Sequence, residues 1–262
     1  MELTLALAQC THRADGNSLA LVEDWTSRAE DAGADMVAFP ECLMTPYEKT
    51  PEDFAASAQG LDGPFARGVE AIAREHRMWI SYTVNEADPQ GGRPFNTAVI
   101  ADASGTRRLV YRKTHLYNAG SYRESDKMQA GDEICSPVDT PWGKVGLGVC
   151  YDLRFPEFAR KLALEGCELL LLPAAWVEGP RKVEQFQTLV QARAIEDGMF
   201  VAGLGRCGGV YCGTSLLAAP DGSVVREAGD GEELLVATID LAEAERMREK
   251  MPSLWHRRPE LY

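Results

Sequence analysis

KVGLGVCYDLRFPE, residues 144–157, decides how the rest of the chain is read. An apolar, glycine-rich run ends at Cys150. Tyr151, Asp152 and Arg154 follow at once, and Pro156 opens a new segment. The run up to Cys150 has the character of a buried strand, and residues 156–166 that of a helix. The junction sets a thiol at a strand tip, against a sharp turn lined with polar groups.

Two other strands end the same way. MVAFPE (36–41) ends in Glu41, and RRLVYRK (107–113) ends in Lys113. In sheets flanked by helices, ligands bind beyond the carboxyl ends of strands. The spacing predicts further strands at 3–10, 78–84, 96–102, 168–176, 199–205 and 233–240. Helices are predicted at 17–32, 63–77, 182–197 and 241–250. Residues 214–229 read as a hairpin turning at Pro220-Asp221-Gly222. Residues 114–140 read as a long polar loop, which in a compact domain is usually functional or disordered. Such βαβ units mixed with hairpins predict an α/β fold of two stacked mixed sheets with outer helices, in one domain spanning 1–262.

The residue types name a chemistry. A thiol with an ordinary pKa near 8.5 is only slightly ionised at neutral pH, so it needs a base. Glu41 can take its proton and return it to a leaving amine. Lys113 and the Tyr151 backbone N–H can stabilise an oxyanion. The set fits acyl transfer through a thioester, followed by hydrolysis. Taken singly, each residue has a bland role: a buried small hydrophobe, a solvated acid, a charged strand end. Spacing alone does not bring them together.

Composition narrows the alternatives. The 262 residues are 45% hydrophobic and 26% charged, with a net charge of −13. So acidic a surface argues against nucleic-acid binding. No run approaches the length of a membrane span, and the N-terminus lacks the basic flank of a secretory signal. Seven irregularly spaced cysteines suit a reducing, cytoplasmic setting better than a disulfide framework. Cys207 and Cys212 lie close in sequence, but no second Cys/His pair completes a metal site. No glycine-rich nucleotide motif opens a helix. No cofactor is expected.

FPE (39–41), YRKTHLY (111–117) and GVCYDLRFPE (148–157) resemble, in order and approximate spacing, the three signature segments of the nitrilase, or carbon–nitrogen hydrolase, superfamily. The resemblance covers essentially the whole chain. It implies a four-layer α-β-β-α sandwich that pairs as a homodimer or larger homo-oligomer. It implies Glu41 as general base, Lys113 as oxyanion stabiliser and Cys150 as nucleophile. In RESDKMQAG (123–131) it points to Glu124 as a second acid that positions substrate or water. HLYNAGSYRES, CYDLRFPE and LLPAAWVEGP resemble the short amidase branch that includes deaminated glutathione amidases and ω-amidases. The implied substrate is a small amide, carboxylated or not, with N-carbamoyl amides or nitriles as alternatives. A binding protein that kept the fold is the non-enzymatic alternative.

The same likeness puts Trp176 in the acyl pocket, with a core-capping role as its rival. Asp152 and Arg154 are expected to hold the turn after Cys150, and Arg154 can instead hold a substrate carboxylate. Departures at Asp197, Gly198 and Arg206 are expected at the pocket rim. His115 is expected to be structural, and Cys42 to point away from Glu41 if its strand continues. The tail from about 251 to 262 is expected to dock on a partner subunit, with Trp255 and Tyr262 as anchors.

Overall fold

Alternation along the first strand sets the layers. In β1 (Leu3–Gln9), Leu3, Leu5 and Leu7 join a cluster that includes Val145, Leu147 and Leu171. Ala6 and Ala8 join a different one, with Val22, Trp25 and Val69. Successive side chains leave a strand on opposite faces, so β1 belongs to a sheet covered on both sides. The computed structural model describes residues 1–120 and 122–261. Tyr262, expected as a tail anchor, lies outside the described residues.

The first sheet also holds β2 (Met36–Ala38), β3 (Trp79–Glu86), β4 (Phe95–Ala101) and β5 (Arg107–Arg112). The second holds β6 (Val138–Thr140), β7 (Gly143–Leu147), β8 (Leu169–Ala174), β9 (Phe200–Gly205), β10 (Leu216–Ala218) and β11 (Val224–Glu227). β12 (Glu233–Ile239) returns to pair with β1. The strand orders are β12-β1-β2-β3-β4-β5 and β11-β10-β9-β8-β7-β6. In each sheet three parallel strands, β1-β2-β3 and β7-β8-β9, lie between antiparallel neighbours.

Helices close the outside. α1 (Ser18–Asp31) and α3 (Pro64–Glu75) cover the outer face of the first sheet with Val22, Trp25, Val69 and Ile72. α4 (Pro156–Leu164) and α5 (Lys182–Asp197) cover the second with Phe158, Leu162, Phe186 and Val190. The four layers are the predicted α-β-β-α sandwich. Each large apolar side chain buried there contributes roughly 1.5–3 kcal/mol. α2 (Pro51–Ser57) was not predicted, although Thr50 and Asp53 form a capping box around Pro51. α6 (Glu243–Lys250) ends the regular structure before the tail.

The polar stretch 114–140 is not structureless. It holds a small hairpin, Asn118–Ala119 against Tyr122–Arg123, a 3₁₀ turn at Glu124–Asp126, and β6. No helix among the described residues is long and apolar enough to cross a membrane.

Candidate active site

The strand that leads to Cys150 stops early. β7 ends at Leu147, and a 3₁₀ turn runs from Cys150 to Arg154. Cys150 sits at φ +47°, a left-handed conformation that is costly for a residue with a Cβ. Asp152 holds it there. Its Oδ2 accepts the Val149 N–H and the Tyr111 hydroxyl, each at 2.8 Å. Its Oδ1 pairs with His115 Nδ1 at 2.7 Å, and the His115 ring stacks on Phe155 at 3.8 Å. Asp152 and His115 therefore take the structural roles expected of them. Tyr111 lies on β5, so this lock also ties the two sheets together.

The other groups arrive from the opposite sheet. Glu41 lies three residues beyond β2, and Lys113 directly follows β5. Lys113 Nζ donates to Glu41 Oε1 at 2.9 Å and to both Glu124 oxygens at 2.9 Å. Asn96 Nδ2 donates to Glu41 Oε1 at 2.7 Å. The Ala175 N–H, just past β8, donates to Glu41 Oε2 at 2.7 Å. The Tyr117 N–H donates to Glu124 Oε2 at 2.6 Å. The Cys150 thiol faces the same cavity and feels the Glu41 charge. All four groups are buried.

Burial is the largest influence on each of their pKa values, and their charges decide the outcome. At Glu41 burial is outweighed by the Lys113 ammonium, with help from Ala175 and Cys150, and the carboxyl stands below its ordinary value. At Glu124 burial and the neighbouring Glu41 charge prevail over Lys113, and its pKa is raised. Burial would depress Lys113, but Glu124 and Glu41 hold its pKa well above the usual lysine range. Burial and the Glu41 charge push the Cys150 thiol well up. The resting site is thus a neutral thiol beside an ionised carboxylate, an arrangement in which proton removal must accompany attack.

These residues face one cavity. Tyr151, Arg154 and Trp176, proposed from sequence as substrate contacts, line it too. Trp176 also packs on Phe186, with ring centroids 5.3 Å apart, so it serves pocket and core together. Arg154 donates to Gln185 Oε1 at 2.8 Å and lies over the Trp176 ring. Sequence reasoning missed Asn96, Tyr47, Tyr117, Lys127 and Lys182 in the lining. Asn96 carried a usable signal, since it opens a strand beside the one that ends in Lys113. The others sit on loops and a helix start with no local mark.

Three expectations are corrected. Arg206 is not on the rim but fully buried. Its guanidinium donates to the main-chain carbonyls of Glu41 at 3.0 Å, Cys42 at 3.1 Å and Cys10 at 3.4 Å. Asp197 and Gly198 lie at the C-terminal end of α5, where Asp197 pairs with Arg160 at 2.9 Å, and neither lines the cavity. β2 does not continue past Ala38. Cys42 takes φ +60° and lines the cavity instead of turning away from it. Cys207 and Cys212 are opposed across a two-stranded hairpin as free thiols. Among the described residues no group of three or more His, Cys, Asp or Glu is placed to hold a metal ion.

The chain matches the carbon–nitrogen hydrolase family model over residues 4–249. It is 33% identical over 232 residues to a deaminated glutathione amidase of Escherichia coli O157:H7, covering 88% of each chain. It is 34% identical over 247 residues to an ω-amidase of Xenopus laevis, covering 89% of this chain and 87% of that one. A mutant amidase of Nesterenkonia sp. AN1, solved with the acetamide moiety of fluoroacetamide added covalently at its active-site cysteine, superimposes with a TM-score of 0.82. That amidase is 29% identical, and the match covers 99% of this chain and 95% of that one. The sandwich, the family match and these amidase relatives agree, and the chain is a member of the carbon–nitrogen hydrolase family.

Proposed function

We propose that this hydrolase is a cysteine-dependent amidase. It converts a small linear amide, carboxylated on its acyl chain, to acid and ammonia through a thioester on Cys150. The observation that carries this reading is one buried cluster: Glu41 and Glu124 hydrogen-bonded to Lys113, with the Cys150 thiol facing the same cavity. Relatives bearing the names deaminated glutathione amidase and ω-amidase support it. So does an amidase relative that accepts an amide-derived adduct at its cysteine.

In the first step Glu41 takes the thiol proton as sulfur attacks the amide carbon. The oxyanion is held by Lys113 and by the Tyr151 N–H, which meets no acceptor among the described residues. The intermediate collapses with cleavage of the C–N bond, and Glu41 returns the proton to the leaving nitrogen as ammonia departs. A water then attacks the thioester. Glu41 takes its proton, the acid leaves, and the thiol is restored. Glu124 holds Lys113 and orients the water. The protein works as one hydrolase domain, in the cytoplasm, and as a homodimer through residues 251–262.

Ammonia release is the test, measured on propionamide, glutaramate, succinamate, an N-carbamoyl amino acid and a nitrile, with wild type beside Cys150→Ala. Release from the amides that disappears in the variant is the expected result. Turnover of only the nitrile or only the carbamoyl compound would reassign the reaction. No turnover on any would favour a binding role.

A further inference from the structure

Besides Lys113, three cations line the cavity: Lys127, Arg154 and Lys182. Among the described residues none of them is in an ion pair, although the chain carries 40 acids against 27 lysines and arginines. Arg154 is committed to Gln185 and the Trp176 ring. Lys182 lies 5.3 and 5.4 Å from the Trp176 and Tyr117 rings, with no fixed polar contact. Lys127 is different, because its ammonium is held in place. Nζ donates to the Tyr47 carbonyl at 2.7 Å and lies 4.7 Å over Tyr122 and 5.5 Å over both Tyr47 and Phe54.

The backbone explains how it gets there. Lys127 ends the 3₁₀ turn that begins at Glu124, and its N–H donates to the Glu124 carbonyl at 2.9 Å. In a 3₁₀ turn, side chains three apart eclipse one another. The turn that aims Glu124 into the cavity therefore aims Lys127 in as well. An ammonium has three N–H donors. One is used at Tyr47, and the aromatic faces are neutral partners. Burial lowers the Lys127 pKa from its ordinary value, and the more distant charges of Glu48 and Glu124 do not make that up. Among the described residues no carboxylate is in ion-pair contact with this cation.

The surroundings select the anion. Glu41 and Glu124 share the single charge of Lys113, so the catalytic end is not cationic. A doubly charged phosphate would meet that pair unfavourably. A single carboxylate placed away from the reacting carbon would not.

We propose that Lys127 binds the distal carboxylate of the acyl chain and is the residue that selects carboxylated amides over plain ones. This rests on the amidase reading given above, and the test separates the two. The first arm is binding, by calorimetry, to Cys150→Ala protein, which needs no turnover. Glutaramate is expected to bind about tenfold tighter than butyramide, a preference that shrinks with rising salt and is lost in Lys127→Met. The second arm is the ratio of kcat/KM for glutaramate to that for butyramide, each measured on the same variant. Lys127→Met is expected to lower that ratio about tenfold or more, mainly through KM. Equal binding of the two amides by Cys150→Ala protein overturns the proposal even if Lys127→Met fails to fold. So does a ratio that falls in Lys182→Met but not in Lys127→Met. If wild type turns over no amide, the amidase reading fails, and the binding arm still decides the role of Lys127.

Discussion

Arg206 donates its Nε to the main-chain carbonyl of Glu41 at 3.0 Å, across 165 residues of sequence. The same guanidinium holds the carbonyls of Cys42 and Cys10, and the Arg206 N–H donates to the Ala174 carbonyl at 2.8 Å. Glu41 is three residues past the end of its strand, so the strand ladder does not fix its backbone. Arg206 does. Arg206→Met leaves the Glu41 carbonyl without a donor and takes one partner from those of Cys42 and Cys10, which keep His12 Nε2 and the Cys207 N–H. It is expected to lower stability by on the order of 3 kcal/mol, and kcat with it. Lysine at this position is expected to rescue little, because it lacks the planar fork. Thermal melts and steady-state kinetics on Arg206→Met and Arg206→Lys check this, and a wild-type kcat in either variant would remove the anchoring role.

Asp152→Asn tests the lock on the Cys150 turn. An aspartate accepts at both oxygens, whereas an amide must present a donor on one side. That donor would face either the Val149 N–H and Tyr111 hydroxyl or His115. The left-handed Cys150 then loses its restraint. We expect kcat to fall about 10- to 100-fold, as a displacement near 1 Å costs, with KM held. A fall in KM affinity with kcat unchanged would contradict a positioning role.

Iodoacetamide should report the Glu41–Cys150 pair directly. The thiol is raised by burial and by the Glu41 charge, so it is neutral at pH 7. Glu41 stands below the ordinary glutamate value and is ionised. Labelling of Cys150 is expected to outpace that of buried Cys10 and Cys167, both pushed up to about 12 by burial. Its rate should be flat through neutral pH and fall only as acid protonates Glu41. Glu41→Gln is expected to slow labelling and turnover by about 100-fold or more. Peptide mapping that found Cys150 the slowest thiol would sink the assignment.

Asp197 gives a stability signature. Burial raises its carboxyl from 3.8 to about 6 despite Arg160. The folded state therefore binds more protons than the unfolded state between those values, and stability falls as pH rises through them. The full cost, at most about 3 kcal/mol, is present above pH 6. Asp197→Asn removes it. Its melting temperature should gain on wild type more at pH 8 than at pH 4.5, and a gain independent of pH would refute the argument.

The tail makes a further claim. Trp255 is 65% exposed, Met251 65% and Leu261 62%. A tryptophan buries 150–250 Å² when it docks. Wild type should sediment as a dimer, and Trp255→Ala with Met251→Ala should shift it toward monomer. A monomeric wild type would end the proposal.

Much of the fold was legible because local pattern decided it. The alternation in β1 and the spacing of Leu21, Val22 and Trp25 in α1 each follow from which face is buried. Cys150 and Lys113 were legible because they close apolar runs. Arg206 was not. Its four backbone-linked partners lie on three distant segments, and an arginine after a glycine-rich strand looks the same on a rim as in a core. Cys42 was misplaced because its strand was read past its true end at Ala38. Asn96 and Lys127 were missed because their partners, Glu41 and the Tyr47 carbonyl, lie 55 and 80 residues away in sequence. The matching strand pattern of the two sheets is also invisible in sequence, since pairing order leaves no residue signature.

The proposed base and the proposed nucleophile stand on different sheets. Glu41 hangs from the first sheet, yet Ala175 and Arg206 of the second grip its carboxylate and its carbonyl. Cys150 hangs from the second, yet Tyr111 of the first steadies its turn through Asp152. Each half thus carries part of the other's alignment. A slip of one sheet against the other by a fraction of a bond length would misalign the proton transfer while leaving every strand paired. Heat, denaturant or a mutation at the sheet interface should therefore extinguish turnover before circular dichroism records any loss of structure.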